Sequence, residues 1–400
     1  MMGTGSIAER WRLLSGDNNW KNLLDPLDID LRRYIIHYGE MAQAAYDTFD
    51  AEKASKFAGS SIYARKDLFS RVGIDKANPF KYNPTKYLYA TSQIPVPEAF
   101  ILKSISPNTV CEESNWIGYV AAATDEGKAA LGRRDILVAW RGTIRTMEWI
   151  DDFDFSLVSA SDILGETGDP NVHGGWLSIY TSDNPNSPYS KTSARYQVIT
   201  EVKRLVDEFV DEEISITICG HSLGAALGIL NAADIVANGV NRPENDTQKP
   251  CPVTAFLFAC PRVGDLNFTN IILSMEDLHL LRVCNSPDLV PLYPLIGYAD
   301  VGEELVINTG KSSFLKISGE LSSWHNLEAY LHGVAGTQGA EGGFHLEVKR
   351  DIALVNKKLD ALKDEYLVPA SWWCQQNKGM VQMADGSWKL EDHEEDNSEL

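Results

Sequence analysis

The sequence predicts an α/β protein with a mainly parallel central sheet that helices cover on both faces. Apolar runs of strand length recur along the chain, at 117–122, 136–140, 216–219, 253–259, 278–284 and 304–307. Amphipathic stretches of helix length lie between several of these runs, notably at 194–210 and 267–275. Strands that alternate with helices favour crossover connections, and crossover connections give parallel pairing.

The chain is expected to form a single domain, 1–400, in three stretches. Residues 1–110 are interpreted as an N-terminal elaboration with an amphipathic helix at 28–46, followed by loops that contain Pro79, Pro84, Pro95 and Pro97. Residues 115–345 hold the alternating pattern and are predicted to be the catalytic core. Residues 346–400 are predicted to form a helix at 346–362 and an acidic tail. The last ten residues contain six acids and no base, which is typical of a solvated, frayed end.

Composition limits the partners and the compartment. Thirty-six basic against 56 acidic residues give a net charge of −20, which argues against nucleic-acid binding and against strongly anionic membranes. No apolar run approaches the ~20 residues of a membrane span, and no signal-peptide pattern is visible. The six cysteines lack C-x-x-C spacing, so free thiols are expected, with a Cys251–Cys260 disulfide as the alternative. A cytoplasmic location follows as an expectation.

The first chemical signal is the pentad Gly220-His221-Ser222-Leu223-Gly224, which has the G-x-S-x-G pattern. The pattern is weak by itself, but here an apolar strand at 215–219 runs into it and an almost wholly apolar helix follows. A strand–turn–helix lifts the serine hydroxyl clear of the sheet and puts backbone N–H groups beside it. Ser222 is therefore predicted to be a nucleophile; the alternative is a glycine-rich packing turn.

A serine nucleophile needs a base and an orienting carboxylate, which follow it in the order acid, then histidine, in this kind of elbow. Asp288 comes just after the strand at 278–284, at the edge where sites in parallel sheets collect. Asp265 and Asp277 are weaker candidates, because one precedes a helix and the other precedes a strand. Asp288 is the predicted acid.

Four histidines follow Asp288 in the sequence. His325 stands at a loop edge before a helical stretch and is the predicted base. His332 lies seven residues further on, on about the same helical face, and spacing alone does not exclude it. His345 is expected at the surface, and His393 lies in the acidic tail.

An oxyanion hole is predicted from two donors. Leu223 offers its backbone N–H at the start of the helix. Thr143 follows the strand at 136–140 in the turn Arg141-Gly142-Thr143 and offers both an N–H and a hydroxyl. The alternative for Thr143 is a helix cap.

Several motifs together resemble one family. They are Arg141-Gly142-Thr143, His173-Gly174-Gly175-Trp176, the pentad at 220–224, the stretch from Asn285 to Pro291, the stretch from His325 to His332, and the openings at 11–16 and 25–28. This set resembles the class 3 lipases and, within them, the plant class II phospholipase A1 group, the defective-in-anther-dehiscence-like acylhydrolases. The resemblance implies an α/β-hydrolase fold, a Ser222–Asp288–His325 triad with Thr143 and Leu223 as oxyanion donors, and no metal or cofactor.

The resemblance also implies a reaction, cleavage of the sn-1 acyl ester of glycerolipids. The expected substrate is a phospholipid, a galactolipid or an acylglycerol, met in transient contact with a lipid aggregate or membrane surface. Two alternatives stay open, a soluble carboxylesterase or thioesterase and a non-catalytic lipase-fold interaction protein. The segment 151–172, with Phe153, Phe155 and Ile163, is a candidate mobile cover over an acyl groove; an ordinary surface loop is the alternative.

Overall fold

A computed structural model describes residues 5–76, 78–98, 100–102, 105, 114–143, 156–244, 250–316, 321–339 and 341–396. The helices of the described chain are α1 Gly5–Leu14, α2 Ile29–Asp47, α3 Leu68–Arg71, α4 Asp125–Leu131, α5 Ser161–Leu164, α6 Gly174–Thr181, α7 Ala194–Glu208, α8 Leu223–Ala237, α9 Leu266–Leu273, α10 Leu321–Trp324 and α11 Leu327–Gly336. The strands are β1 Tyr82–Ala90, β2 Asn115–Ala123, β3 Arg134–Trp140, β4 Leu157–Ser159, β5 Asn171–His173, β6 Ile214–His221, β7 Val253–Phe258, β8 Leu278–Asn285, β9 Glu303–Ile307, β10 Met380–Gln382 and β11 Trp388–Leu390.

The central sheet has the strand order β1-β2-β3-β6-β7-β8-β9 among the described residues. The pairs from β3 through β9 are parallel, whereas β1–β2 and β2–β3 are antiparallel. The predicted mainly parallel sheet is therefore confirmed. Its consequence is that β3, β6, β7 and β8 end at one common edge.

Both faces of the sheet are buried, as the apolar strand sequences require. Ile136, Val138 and Trp140 of β3 point into a core shared with α6, α7 and α8. Leu137 and Ala139 point to the opposite face, where α2 and α11 pack. The alternation of a strand thus divides one apolar run between two cores.

The N-terminal stretch, predicted to be an elaboration of the domain, contributes one strand to the central sheet and one helix to its face. Strand β1 pairs with β2 at the sheet edge, and α2 packs on the sheet face. Pro84, which suggested a loop, lies in this edge strand beside a register shift between Pro84 and Lys86. An edge strand tolerates a proline because its outer N–H groups have no partner strand. The predicted helix at 28–46 is confirmed as α2, capped by Asp28.

The predicted helix at 346–362 is absent from the described structure, where only a short 3₁₀ turn, Ile352–Asn356, forms. The segment lies along α2 and α11 instead. Buried Arg350 pairs with Glu40 and Glu328, and buried Lys357 pairs with Asp47. Ion pairs with the two helices hold this irregular segment against them.

The acidic tail is not a frayed end within the described residues. The backbone N–H of Glu394 donates to Ile62 O at 2.8 Å, and the Glu394 carboxylate pairs with Arg71. The ring of His393 stacks on Phe57 with centroids 4.2 Å apart, and its Nδ1 lies 2.7 Å from Ser61 O. The tail packs onto the N-terminal region through these contacts. Residues 397–400 lie outside the described chain.

Two smaller expectations concern membrane spans and cysteines. In the described part of the chain, no helix is long and apolar enough to cross a membrane. Cys219, Cys251, Cys260, Cys284 and Cys374 are free thiols, so the alternative Cys251–Cys260 disulfide is wrong. Cys111 lies outside the described residues.

Candidate active site

Ser222 occupies the sharp turn between β6 and α8. Its backbone has φ 58° and ψ −126°, in a region that residues other than glycine rarely adopt. The flanking glycines are required by close approach. A Cβ on Gly220 would lie 2.3 Å from Gly224 O, and one on Gly224 would lie 2.4 Å from Trp140 O. The structure therefore has the predicted strand–turn–helix at Ser222, and tight packing holds its strained backbone in place.

Asp288 follows β8 at the same edge of the sheet. Its carboxylate accepts hydrogen bonds from His325 Nδ1 at 2.7 Å, from the Tyr330 hydroxyl at 2.6 Å and from the Val290 backbone N–H at 3.0 Å. Burial raises the pKa of this carboxyl, but the facing His325 and the donated hydrogen bonds outweigh burial and lower the pKa below its usual value. Asp288 is therefore an ionised group fixed in place by its donors.

His325 lies between α10 and α11 and is fully buried. Its Nδ1 faces the Asp288 carboxylate, so in the neutral ring Nδ1 carries the proton and Nε2 holds the lone pair. This Nε2 and the Ser222 Oγ are both buried without a hydrogen-bond partner in the described chain. An imidazole oriented in this way is arranged to accept a proton.

His221 connects the elbow to His325. Its ring centroid lies 4.7 Å from that of His325, and its Nε2 donates to His325 O at 2.8 Å. The Tyr46 hydroxyl donates to His221 Nδ1 at 2.8 Å, so both ring nitrogens are occupied. Burial and the neighbouring His325 lower the pKa of His221 well below its usual value. A neutral His221 thus holds the backbone of His325 beside Ser222.

The turn after β3 lies against the elbow. A Cβ on Gly142 would be 2.4 Å from His221 O and 2.0 Å from the Tyr46 hydroxyl, so only glycine fits there. Thr143 follows, buried, with its Oγ1 unpartnered within the described chain. Leu223 is the first residue of α8, where backbone N–H groups have no acceptor within the helix. The structure therefore brings both predicted oxyanion donors to the end of the sheet that holds Ser222.

Arg141 fixes this turn from beneath. Its guanidinium donates to Trp116 O at 3.0 Å and to Gly142 O at 2.7 Å, and it lies 3.9 Å from the centroid of the Phe49 ring. Burial lowers the pKa of Arg141 to about 10. The arginine braces the backbone that presents Thr143.

The alternative acids are occupied elsewhere. Asp265 caps α9 by accepting from Phe268 N at 2.8 Å. Asp277 comes directly before β8, at the amino end of the strands, and is separated from Ser222 by the length of the sheet. Neither is an alternative to Asp288.

The alternative histidines are also placed elsewhere. His332 Nε2 lies 2.8 Å from Ser312 Oγ, and its ring stacks on Phe344 with centroids 4.9 Å apart. Burial lowers the pKa of His332 to about 4. His345 is exposed, and His393 belongs to the docked tail.

The predicted cover at 151–172 falls partly outside the described residues, which begin again at 156. Within the described part, β4 pairs with β5, and α5 lies between them. Ala160 and Ile163 are buried in the core beside α8. A few buried residues, Ala160, Ile163, Pro170 and Val172, therefore anchor the described part of the segment, whereas most of its other residues are exposed or half-buried. Phe153 and Phe155 lie outside the described chain.

Tyr46, His221 and Tyr330 are the site residues that sequence reasoning missed. His221 stands within the pentad, so the motif points to it, but nothing in the spacing shows that its ring holds His325. Tyr46 and Tyr330 reach the site from α2 and α11, and only the fold brings them there. In the described residues, no group of three or more His, Cys, Asp or Glu side chains is placed to hold a metal ion.

The chain is similar to one protein family, to named plant relatives and to solved structures. The family model Lipase (class 3) matches residues 137–298. Phospholipase A1-II 1 of Oryza sativa is 57% identical over 398 residues, covering 99% of each chain. Phospholipase A1-IIgamma of Arabidopsis thaliana is 56% identical over 400 residues, covering 99% of this chain and 96% of that protein. Among solved structures, the LIP2 lipase of Yarrowia lipolytica matches with a TM-score of 0.47 and 17% sequence identity. The match covers 71% of this chain and 82% of the lipase chain.

The fold and the family agree. Seven described strands in a mainly parallel sheet, an elbow after β6 and helices on both faces form an α/β-hydrolase fold. The relatives align over nearly the full length, well beyond the 137–298 segment. The chain therefore belongs to the class 3 lipase family, in its phospholipase A1-II group.

Proposed function

We propose that the protein is a serine acylhydrolase of the phospholipase A1 type, which hydrolyses the sn-1 acyl ester of glycerolipids. The observation that carries the proposal is the 2.7 Å hydrogen bond between His325 Nδ1 and Asp288, made beside the strained Ser222. Family membership supports the same chemistry, since the near relatives are named phospholipase A1-II.

The proposed reaction begins with attack of Ser222 Oγ on the ester carbonyl carbon, while His325 Nε2 takes the hydroxyl proton. Asp288 keeps the imidazole in the required tautomer and stabilises the imidazolium. The oxyanion accepts hydrogen bonds from the Leu223 N–H and from Thr143. His325 then gives its proton to the departing alcohol, a lysolipid, which leaves an acyl-enzyme.

Deacylation repeats the sequence with water. His325 takes a proton from a water molecule, whose oxygen attacks the acyl carbonyl carbon, and returns a proton to Ser222 Oγ as the fatty acid leaves. No step needs a metal or a cofactor. No other group of the described chain engages Ser222 Oγ or His325 Nε2, so the hydroxyl is available to the ester and the ring nitrogen is available to the hydroxyl proton.

The lipid surface and the cellular site are part of the proposal. Long-chain glycerolipids are held in aggregates, so the protein is proposed to meet them in transient contact with a lipid surface. A cytoplasmic location is proposed from the reduced state of the five described cysteines, of which Cys219, Cys260 and Cys284 are buried.

Hydrolysis of positionally labelled lipids tests the proposal. Phosphatidylcholine, galactolipid, monoacylglycerol and diacylglycerol, each labelled in one acyl chain, are compared with a soluble short-chain ester and a thioester. Release of the sn-1 chain in preference to the sn-2 chain is the expected result. Release of the sn-2 chain, or turnover of the soluble esters alone, would contradict it. Ser222→Ala is the control for chemistry at any other residue.

A further inference from the structure

The C-terminal tail is docked on one short loop of the N-terminal region, residues 59–62, here called the support loop. His393 Nδ1 donates to Ser61 O at 2.7 Å. The Glu394 backbone N–H donates to Ile62 O at 2.8 Å. The tail therefore binds the support loop through two adjacent residues, one by its side chain and one by its backbone.

Specific contacts hold the tail in place against the charge of the molecule. The net charge of −20 repels an acidic tail unless its carboxylates meet partners. Glu394 pairs with Arg71, and the Asp396 carboxylate accepts from the Arg65 backbone N–H at 3.2 Å. These partners fix where the tail lies on the molecule.

The support loop pairs in turn with residues 48–50, which follow α2. The Ile62 N–H donates to Thr48 O at 2.7 Å, and Phe49 forms an antiparallel bridge with Ser61. Residues 48–50 and Ser61 are buried. The loop that the tail binds therefore fixes the backbone of Phe49.

Both groups that seat the Arg141 side chain are anchored by this loop. The guanidinium carbon of Arg141 lies 3.9 Å from the centroid of the Phe49 ring. Its Nε donates to Trp116 O at 3.0 Å, and the Trp116 N–H donates to Gly59 O at 2.7 Å. The aromatic ring and the carbonyl beside the arginine thus each depend on the support loop.

Arg141 holds the turn that presents the candidate oxyanion donor. Its Nη1 donates to Gly142 O at 2.7 Å, and Thr143 is the next residue. An oxyanion donor acts only at hydrogen-bonding distance from the developing charge. A misplacement of about 1 Å that arises far from the chemistry can lower a rate about 10²-fold. Packed contacts therefore join the tail to a turn whose exact position matters.

We propose that His393 and Glu394 are positioning residues for ester hydrolysis. They hold the support loop, which keeps Arg141 seated and the oxyanion turn in place. Both act through the arginine and not on the ester. This inference rests on the proposed function, because the position of the turn affects a rate only if an oxyanion forms there.

Steady-state kinetics on the full chain test the proposal with the variant His393→Ala/Glu394→Gln. The matched control is Glu395→Gln, because the Glu395 side chain is exposed and has no ion pair within the described residues. The measurements are kcat and KM for a soluble short-chain ester, with kcat expressed per folded protein. The tail variant is expected to lose kcat by a factor on the order of 10 with little change in KM, since an oxyanion forms only in the transition state. The control is expected to match the unmodified protein.

A double-mutant cycle with Thr143→Val tests the route from the tail to the turn. If the tail acts through the oxyanion turn, the tail variant should lower kcat by a smaller factor in the Thr143→Val background than in the unmodified protein. Equal factors in both backgrounds overturn the proposal, and so does an unchanged kcat in the tail variant. Glu394→Gln alone, which keeps the size of the side chain, replaces the double variant if the latter does not fold.

Backbone hydrogen exchange separates this inference from the proposed function, because it needs no substrate. In the tail variant, exchange within residues 138–143 should be faster than in the unmodified protein and in Glu395→Gln. Unchanged exchange there overturns the inference, whichever esters the protein cleaves. Failure of the unmodified protein to cleave any ester counts against the proposed function, and the exchange rates still decide whether the tail holds the turn.

Discussion

The two ends of the neighbouring strands β3 and β6 are equally buried but differ in how their polar atoms are satisfied. At the amino end, Arg133 pairs with Asp135 at 3.3 Å and donates its Nε to Ser215 Oγ at 2.9 Å. Ser215 and Thr217 each donate to the Asp135 carboxylate at 2.6 Å. None of the side-chain polar atoms of these four described residues is left without a partner.

At the carboxyl end, several buried polar atoms have no partner within the described chain. They include Arg141 Nη2, Thr143 Oγ1, Ser222 Oγ and His325 Nε2. Each buried polar group without a partner lowers the stability of the folded protein by about 1–3 kcal/mol. Several such groups at one place therefore indicate a function other than stability. The contrast teaches that the amino end is built for stability and the carboxyl end for an incoming ester. Substituting residues at each end in turn tests whether one end contributes to stability and the other to catalysis.

The largest effect is expected for His325→Ala. Removing the proposed base should lower the rate of ester hydrolysis by a factor on the order of 10⁴ to 10⁶. His332→Ala is the matched control, a buried histidine on α11 whose Nε2 contacts Ser312. The control should keep most of its activity. The measurement is the rate of hydrolysis of a soluble ester, divided by the concentration of folded protein. Equal losses in both variants would remove His325 from its assigned role.

Arg133→Met should act on stability alone. It leaves the Asp135 carboxylate buried without its cation, which typically costs about 3–5 kcal/mol of unfolding free energy. Chemical denaturation measures that loss, and the rate per folded molecule should not change. A fall in that rate with stability intact would mean that the two ends of the strands are not separate in function.

A threonine pair gives the closest comparison. Thr143→Val should reduce the rate by about 10²–10³, as expected for an oxyanion donor, with little loss of stability because its hydroxyl has no partner in the described chain. Thr217→Val should cost about 1–3 kcal/mol of stability, because it removes a donor from buried Asp135, and leave the rate alone. Rate and unfolding midpoint are measured on both. A stability loss in Thr143→Val together with a rate loss in Thr217→Val would contradict the roles assigned to the two ends.

The smallest effect is expected for Tyr330→Phe, which removes one donor from Asp288. At neutral pH the loss is about 1.5–3 kcal/mol of stability, as for a hydrogen bond to a charged group, with a fall in rate within about tenfold. The pKa of Asp288 is lowered in the folded protein, so its contribution is present above the unfolded pKa and is lost as pH falls through the folded value.

Acid unfolding checks this assignment of Tyr330. The stability gap between the unmodified protein and Tyr330→Phe should narrow as the pH falls through the folded pKa of Asp288, and the remainder reflects the hydrogen bond that the hydroxyl accepts from the Asn285 N–H at 3.2 Å. A gap that stays constant with pH would mean that the tyrosine acts by packing and not through the carboxylate.

Sequence patterns predicted the strands, the helices and the candidate catalytic residues better than the contacts between elements that are distant in the sequence. Strand period and helix spacing located β3, β6, β7, β8 and α2. Pro84 misled the interpretation of the edge, because proline fits a loop and an outer strand equally well. The predicted helix at 346–362 does not form in the described structure, where Arg350 and Lys357 instead pair with Glu40 and Asp47 of α2, contacts that no local pattern of the segment reveals.

Within the site, the division has the same origin. Ser222, Asp288 and His325 follow local patterns that adjacent residues reveal: a strand–turn–helix, the end of a strand, and a loop before a helix. Tyr46 and Tyr330 satisfy His221 and Asp288 from helices far away in the sequence. Their roles depend on side-chain geometry across elements, which a single sequence does not encode in any local spacing.

Covalent labelling with a fluorophosphonate, followed by peptide mass spectrometry, tests the central claim most directly. The reagent reacts with a serine only when a base activates it and a hole accepts the developing oxyanion. We predict a single modified peptide labelled at Ser222, with no labelling in Ser222→Ala and a large fall in labelling rate in His325→Ala. Labelling at another serine, or none while an ester is still hydrolysed, would contradict the assignment of Ser222 as the nucleophile.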